Sequence, residues 1–420
     1  MKIDDSSSKK SLKYMDVKNL LFDIARPMVR KFRRKVANRA IYNVCSTEKQ
    51  QKEIRIGFIV QMSSIWDKQV KVYEEAKRRD NIETFLFVVP EDDWSSHKIA
   101  NHYENNFFVT NYPEAIKIHD TKGNVIDLED YQLDYLFYPR PYDIHLPKKI
   151  RSERMRSICK CCYVPYAFCA SDVFNECFIF NRFFYNMYFC FMDSNYMKNM
   201  MVHEYSKEIE MGIKKIDYMG YPCLEPYIMM GESNRRDRIT WTPRWSYDEK
   251  LGGSNFIEYK DHFAELTKKH NGSCIFRPHP LMFDELINRH LISEKETKEY
   301  LQFLEKNGAV FDVSSPIDSI LEKTDVLISD FSSIVVSFFL TGRPIIYCEK
   351  GIELNEVCAD MLTYMYVAHS WEDVEKYYRL LVIEKNDYLK EKRKEYISKN
   401  FGLELNASKN IIDALIDDSN

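Results

Sequence analysis

Two adjacent serines in the second half of the chain have a position that favours anion binding. The apolar run Val326–Ile328 is typical of a buried strand, and Asp330-Phe331-Ser332-Ser333 then leads into an apolar segment with helical character. The first N–H groups of a helix have no partner within it, and the helix dipole is positive there, so such a turn can bind a phosphate group. The alternative interpretation is that Asp330 or Ser332 only caps the helix.

Two other predicted strands end in residues that suit the same chemistry. Arg244 follows the strand Arg238–Trp241, and Arg277-Pro278-His279-Pro280 follows the strand Ser273–Phe276. Loops after neighbouring parallel strands emerge at one edge of a sheet. Arginine binds phosphate through two N–H groups and histidine donates to a phosphate oxygen, so the three loops together predict a diphosphate pocket. Taken singly, Arg244 is equally compatible with a surface ion pair and His279 with a hydrogen-bonded core residue.

Length, charge and cysteine content narrow the class of protein. A chain of 420 residues with 45% apolar residues suits two α/β domains. The net charge of −4 gives no sign of nucleic-acid binding. The 11 cysteines, without a secretory signal, favour reduced thiols in the cytosol, and a zinc site at Cys159–Cys162 lacks a second ligand pair. Walker, Gly-x-Gly-x-x-Gly and His-Glu-x-x-His motifs are missing, which argues against P-loop NTPases, Rossmann dehydrogenases and zincins.

Apolar runs alternate with amphipathic segments and predict two doubly wound α/β units. The predicted break lies near Gly220-Tyr221-Pro222, with an arm over residues 1–50, domains over 51–219 and 220–380, and C-terminal helices over 381–420 that can cross back. The apolar run Cys177–Met192 is too short for a membrane span and predicts a buried or interfacial helix. Beyond the three strands already named, the predicted strands are Ile54–Val60, Phe85–Val89, Leu133–Tyr138, Cys162–Tyr166, Ala309–Phe311 and Ile345–Tyr347, with a helix at Ser63–Lys77.

The N-terminal arm is basic. Residues 1–13 are polar and predicted to be disordered, and residues 16–42 predict a basic amphipathic helix or pair of helices. Seven basic residues and no acidic residue lie between Arg26 and Arg39, interleaved with apolar ones. This pattern favours binding to an anionic membrane surface. The alternatives are a solvated helix and an arm packed on the next domain.

The second half resembles the CDP-glycerol glycerophosphotransferase family, which comprises bacterial polymerases and primases of teichoic acids and capsule polysaccharides. Arg277-Pro278-His279-Pro280 is similar to the family's Arg-x-His-Pro element, and Ser329–Ser333 through Pro344–Tyr347 is similar to its Asp-(Tyr/Phe)-Ser-Ser … Pro-x-x-(Tyr/Phe) element. Thr242–Trp245 resembles its Pro-Thr-(Trp/Tyr)-Arg element in altered order, and Gly220-Tyr221-Pro222 its Gly-x-Pro. The resemblance covers roughly residues 215–350.

This resemblance implies a GT-B-type fold, with two Rossmann-like domains facing a cleft and the CDP-linked donor held by the second. It also implies a metal-independent enzyme without a cofactor, peripheral on the cytoplasmic face of the cell membrane and acting in cell-wall synthesis. The expected donor-binding residues are Arg244, Arg277, His279, Asp330, Ser332 and Ser333.

The first half departs from the family pattern, since it lacks the Trp-His-Gly-Thr-Pro-x-Lys element whose histidine is the proposed base. The candidates for a base in its place are Asp143, His145 and Asp172, with His279 as the catalytic histidine of the donor half. Tyr142 and Tyr166 are the candidates for binding the acceptor.

The predicted function is transfer of glycerol phosphate or ribitol phosphate from a CDP-linked donor to a hydroxyl of a lipid-linked or growing cell-surface glycan, with release of CMP. One alternative is a GT-B glycosyltransferase that uses a nucleotide-sugar. The other is a non-catalytic glycan-binding or scaffold subunit. The acceptor, primase or polymerase action and the oligomeric state stay open at this point.

Overall fold

The computed structural model describes residues 27–47, 53–93, 98–99, 103–171, 179, 181–233, 235–247, 253–270, 272–313 and 317–419. The predicted disordered segment 1–13, Arg26 and Asp172 lie outside the described residues.

The first domain is built on a sheet of seven parallel strands in the order β5-β2-β1-β6-β7-β8-β9. A separate antiparallel pair, β3 and β4, lies beside it. The strands are β1 Ile54–Val60, β2 Ile82–Val88, β3 Asp92–Asp93, β4 Lys98–Ile99, β5 Ile116–Lys117, β6 Tyr135–Tyr138, β7 Lys160–Tyr163, β8 Phe189–Phe191 and β9 Lys215–Asp217. The helices are α1 (residues 27–45), α2 Val70–Lys77, α3 Phe107–Asn111, α4 Ser152–Met155, α5 Asn195–Glu204 and α6 Ser206–Glu210. Short 3-10 turns cover Ser63–Lys68, Leu128–Tyr131, Lys148–Ile150 and Arg182–Asn186.

The second domain is built on six parallel strands in the order β12-β11-β10-β13-β14-β15. The strands are β10 Arg238–Thr242, β11 Ser273–Phe276, β12 Ala309–Phe311, β13 Val326–Ser329, β14 Ile345–Cys348 and β15 Tyr366–Ala368. The helices are α7 Glu225–Met230, α8 Phe256–Lys269, α9 Met282–Asn288, α10 Glu294–Lys306, α11 Asp318–Lys323, α12 Ser333–Phe339, α13 Glu356–Leu362, α14 Trp371–Tyr378, α15 Lys390–Asn400 and α16 Ala407–Ser419. A π-helical turn covers Arg379–Ile383, and 3-10 turns cover Pro222–Leu224 and Glu404–Asn406.

Continuous apolar runs predict these strands well, because a parallel strand covered on both faces needs few polar residues. Ile54–Val60, Ser273–Phe276 and Ala309–Phe311 have the predicted bounds. The helix prediction for Cys177–Met192 is wrong: its described part contains the 3-10 turn Arg182–Asn186 and strand β8. Asn181 accepts the N–H of Phe183 and starts that turn. The aromatic residues that follow suit a buried strand better than a helix.

Both sheets reverse their strand order at one point. In the first sheet the chain runs from β1 outward to β2 and β5, then returns to place β6 on the other side of β1. In the second sheet it runs from β10 to β11 and β12, then returns to place β13 beside β10. Open α/β sheets bind ligands at such switch points, outside the carboxyl ends of the strands.

The C-terminal helix α16 returns to the first domain. The carboxylate of Asp418 accepts hydrogen bonds from the hydroxyls of Tyr135 at 2.6 Å and Tyr188 at 2.5 Å. The same carboxylate pairs with Lys160 at 2.7 Å and Lys215 at 2.5 Å. Four neighbouring groups, on strands β6, β7 and β9 and directly before β8, therefore bind the side chain of Asp418.

Helix α1 packs on the first domain through one face and exposes the other. Its Arg34 pairs with Glu204 at 2.6 Å and with Glu208 at 2.5 Å, and Ala37 and Ile41 are buried. The packed-arm interpretation therefore holds for this face. The opposite face exposes the apolar side chains of Met28, Val29, Phe32 and Val36. Within the described residues, no helix is both long and apolar enough to cross a bilayer.

Candidate functional site

The three predicted strand ends lie side by side in the second domain. Strand β10 pairs with β11 on one side and with β13 on the other, all in parallel. The register places Trp241 beside Phe276 and Thr242 beside Ser329, so the three loops leave the sheet at one level. The switch point of the second sheet lies between β10 and β13, in the middle of this set.

The carboxylate of Asp330 joins two of these loops to the start of helix α8. It accepts hydrogen bonds from the backbone N–H of Arg244 at 2.8 Å and of Asn255 at 3.1 Å. The side chains of Asn255 and Ser254 donate to it at 2.9 and 3.3 Å. Asp330 is 1% exposed, and this burial raises its pKa while the hydrogen bonds oppose the rise. Donors of the protein itself therefore occupy this carboxylate, which organises the wall of the site, and the expected contact of Asp330 with the donor stays a prediction.

Two buried polar atoms in this wall have no hydrogen-bond partner among the residues that the structure describes. Ser332 precedes the first residue of α12, but its side chain makes no capping hydrogen bond, and its Oγ is buried and unpaired. The guanidinium of Arg244 donates from Nη1 to the carbonyl of Phe331 at 2.9 Å, whereas its Nε is buried and unpaired. An unsatisfied buried donor costs roughly 1–3 kcal/mol, more if charged, so both atoms favour a site that a ligand oxygen completes. The capping interpretation of Ser332 does not describe this geometry.

His279 lies at the open edge of the same site. Its ring packs against Trp245 with 5.7 Å between the ring centroids. The backbone N–H of Leu281 donates to its Nδ1 at 3.2 Å, which leaves Nε2 to carry the proton of the neutral ring. Partial burial lowers the pKa of His279, and the positive charge of Arg244 lowers it further. At neutral pH the ring is therefore an uncharged hydrogen-bond donor.

Arg277 and Ser333 are also at these strand ends, with different surroundings. The guanidinium of Arg277 forms an ion pair with Asp312, which follows strand β12. This carboxylate partly neutralises the charge that we expected at the diphosphate. Ser333 is the first residue of α12 and is exposed.

The switch point of the first domain brings together polar residues after β1 and β6. The buried guanidinium of Arg140 donates to the side-chain oxygen of Gln61, and the amide of Gln61 donates to the carbonyl of His145 at 3.3 Å. Arg140 lies 5.4 Å from the ring centroid of Tyr142. The ring of Tyr142 in turn contacts His145 at 5.9 Å and Tyr166 at 6.3 Å between centroids. The structure therefore brings together three of the predicted acceptor-side residues.

The candidate bases in the first domain have unequal surroundings. Asp143 accepts hydrogen bonds from the backbone N–H of Ser152 at 3.1 Å and from its hydroxyl at 2.6 Å, and burial raises its pKa. His145 is 4% exposed and lies against Tyr142. Asp172 lies outside the described residues.

Sequence reasoning missed four polar residues that build these two sites: Gln61, Arg140, Ser254 and Asn255. None belongs to a recognisable motif, and their partners are distant in sequence, as in the 75 residues that separate Asn255 from Asp330. The signal that was available is position: Gln61 and Arg140 follow strands β1 and β6 within two residues.

Residues 230–368 match the model of the family CDP-Glycerol:Poly(glycerophosphate) glycerophosphotransferase. The match spans the second sheet and includes all three strand ends described above. It confirms the resemblance drawn from those residues and indicates an enzyme of this transferase class. No curated protein matches the chain in sequence.

Several solved structures are similar to the whole chain in fold. The UDP-GlcNAc 2-epimerase from Neisseria meningitidis bound to UDP-GlcNAc has a TM-score of 0.59 at 12% identity, covering 87% of this chain and 100% of that one. The epimerase from Methanocaldococcus jannaschii in complex with UDP-GlcNAc and UDP has a TM-score of 0.52 at 12% identity, covering 86% and 99%. The wall teichoic acid polymerase TagF, soaked with CDPG, has a TM-score of 0.50 at 14% identity, covering 100% and 98%. At such identities the likeness shows the fold alone, and it confirms the predicted GT-B type.

The environment of His279 predicts how its ring titrates. Its pKa should lie below the usual value near 6.5, and Arg244→Gln should raise it because a nearby positive charge is removed. Arg277→Gln removes a charge that is already paired with Asp312 and should have a smaller effect. An NMR titration of the imidazole signals, with His279→Gln for assignment, measures both shifts. An unchanged pKa in Arg244→Gln would contradict this arrangement.

Proposed function

We propose that this protein transfers a glycerol-phosphate or ribitol-phosphate unit from a CDP-linked donor to a hydroxyl of a lipid-linked or growing cell-surface glycan. The proposal rests on two buried atoms, Ser332 Oγ and Arg244 Nε, that have no hydrogen-bond partner among the described residues. Both lie at the switch point of the domain that matches the family. A hydroxyl and a guanidinium are the groups expected to bind diphosphate oxygens.

In the proposed reaction the acceptor oxygen attacks the β-phosphorus of the donor. A new P–O bond forms to the acceptor, and the bond between the β-phosphorus and the bridging oxygen breaks, so that CMP leaves with that oxygen. Arg244, Ser332 and the neutral His279 stabilise the negative charge that shifts onto the phosphate oxygens, which is the main task in phosphoryl transfer. Arg277 and Ser333 supply further positive charge and a hydroxyl. The proposal needs no cofactor and no metal ion.

The acceptor is proposed to bind at the switch point of the first domain. Tyr142 and Tyr166 present aromatic rings there, and Arg140 supplies a buried positive charge. Asp143 or His145 removes the proton of the attacking hydroxyl. Burial raises the pKa of Asp143, which makes it a stronger base than an ordinary exposed aspartate. The loop that carries Tyr166 contacts the second domain, because the side chain of Asn355 donates to the carbonyl of Cys169 at 2.6 Å.

Ser332→Ala and His279→Ala should each lower the rate of CMP release from CDP-glycerol by roughly 10²–10³-fold, the usual effect of deleting one charge-stabilising donor. Ser337→Ala, one turn into the helix α12 that Ser332 precedes, and His203→Ala, on an exposed helix position of the first domain, are the matched controls and should retain full activity.

The same assay separates the alternatives. CMP release from CDP-glycerol or CDP-ribitol supports the proposal. Turnover of nucleotide-sugars alone would favour the glycosyltransferase alternative, and binding of a glycan without turnover of any donor would favour the scaffold. Full activity of Ser332→Ala would contradict the assignment of the diphosphate pocket.

Helix α1 is proposed to hold the protein on an anionic membrane surface, and the enzyme is proposed to act on the inner face of the cell membrane. Met28, Val29, Phe32 and Val36 are exposed on one face, with 72% exposure at Met28 and 67% at Phe32. Exposed basic residues, among them Lys31 and Lys35, flank this face. An apolar face bordered by basic residues suits the boundary between head groups and acyl chains.

Met28→Ser combined with Phe32→Ser should reduce binding to phosphatidylglycerol vesicles without changing the fold, because both side chains are exposed. Wild-type binding should also fall as salt rises from about 0.05 to 0.5 M, since screening weakens the basic contribution. Vesicle sedimentation measures both effects, with neutral phosphatidylcholine vesicles as the control. Equal binding by the double variant and the wild type would contradict the proposal.

A further inference from the structure

A cavity distinct from the diphosphate pocket lies along the edge of helix α1, where the exposed apolar face of the helix meets the first domain. Its volume is about 580 Å³, within the range of small-molecule sites. Helix α1 forms one wall, and the loop after β6 together with the turn Arg182–Asn186 forms the other. The helix side presents apolar side chains, namely Met28, Val29, Phe32 and Val36, and Ile144 and Phe183 face them across the cavity.

The cavity contains a buried arginine, Arg156, that forms no ion pair with a carboxylate of the described residues, although Glu153 and Asp143 lie near enough to favour its charged form. Arg156 is 9% exposed, and its Nη1 donates to the side-chain oxygen of Asn186. Its Nε is buried and has no hydrogen-bond partner in the described part of the chain. Burial lowers the pKa of Arg156, which reflects the unfavourable loss of water around the cation. An anion bound in the cavity would satisfy both the free N–H and the charge.

Three more arginines line the same cavity: Arg33, Arg151 and Arg182. Among the described residues, none of the three lies within ion-pair distance of a carboxylate, and Arg151 donates instead to the carbonyl of Leu146 at 2.8 Å. The lining also includes the acidic residues Asp143 and Glu153. With four arginines against two acids, the cavity carries a net positive charge.

We infer that this cavity binds the phosphate or diphosphate group, and the adjoining hydrocarbon chain, of the lipid that carries the acceptor. The four arginines match the anionic group, and the apolar wall of α1 matches the chain. Two of the predicted acceptor-side residues, Tyr142 and Asp143, line the cavity, and the ring of Tyr142 also contacts that of Tyr166, so the cavity adjoins the predicted acceptor side. This inference rests on the proposed function in one respect, namely that the acceptor is lipid-linked.

Calorimetric titration of the full-length protein with farnesyl diphosphate tests the inference, because this probe combines a diphosphate with a short hydrocarbon chain. Farnesol and inorganic diphosphate each lack one half of it. We expect farnesyl diphosphate to bind at least about tenfold more tightly than either half, since both parts of the cavity are then occupied. Equal affinity for inorganic diphosphate and farnesyl diphosphate would overturn the inference.

Variants locate the binding. Arg156→Gln should weaken binding of farnesyl diphosphate by about tenfold or more, as expected for loss of a charge-assisted contact. Because Arg156 is buried and its replacement can affect folding, Arg33→Gln and Arg182→Gln, both at exposed positions, provide a second test and should also weaken binding. Lys35→Gln, on α1 but outside the lining, is the matched control. Wild-type affinity in all three arginine variants would refute the site.

Two further experiments test whether the probe binds in the diphosphate pocket and whether the cavity binds bulk membrane lipid. Ser332→Ala should leave binding unchanged, whereas a loss of affinity in this variant would place the probe in the diphosphate pocket and contradict the inference. Equally tight binding of short-chain phosphatidylglycerol, with the same response to the variants, would assign the cavity to bulk membrane lipid instead of the acceptor. The titration contains no CDP-linked donor, so its result does not depend on the reaction. It can show no binding although CMP release is observed, and it can show binding although no CMP is released.

Discussion

The hydrogen bonds of the buried Asp330 carboxylate are the constraint on which the donor side of this protein depends. One side chain holds the loop after β10, the loop after β13 and the start of α8 in a fixed arrangement. The backbone of Arg244 is bound directly, and Ser332 lies two residues beyond Asp330. A carboxylate this deeply buried is stable only with several donors around it, so the sequence must supply them from three separate segments. The result is a rigid wall in which one hydroxyl and one guanidinium N–H stay unpaired and available to a ligand.

Both domains carry polar residues at the switch points of their sheets, but the chemistry of these residues differs. The second domain offers donors for an anion, whereas the first offers aromatic rings, a buried arginine and acidic or imidazole groups. Contacts of Asn355 with the backbone of Cys169 and Ala170, at 2.6 and 2.9 Å, link the two domains near the acceptor side. The hydrogen bonds and ion pairs of Asp418 hold the C-terminal helix α16 against the first sheet.

Much of the fold follows from local sequence, because strands buried on both faces are short and almost wholly apolar. The prediction failed at Cys177–Met192, where an apolar run without clear periodicity does not distinguish a helix from a turn followed by a strand. The donor side was predictable because its polar residues directly follow such strands. The contacts of Gln61, Arg140 and Arg156 were not predictable, because each depends on packing between segments that are distant in the sequence. The hydrogen bonds of Asp330 with Arg244, Ser254 and Asn255 likewise emerge only from the structure.

The central claim is that Ser332 Oγ and Arg244 Nε bind the diphosphate of a CDP-linked donor. A crystal structure of the protein with CDP-glycerol tests this most directly. We expect both atoms to lie within about 3.2 Å of phosphate oxygens, a normal hydrogen-bond distance, with His279 donating from Nε2 nearby. A bound donor whose diphosphate lies elsewhere, with both atoms still unpaired, would refute this assignment.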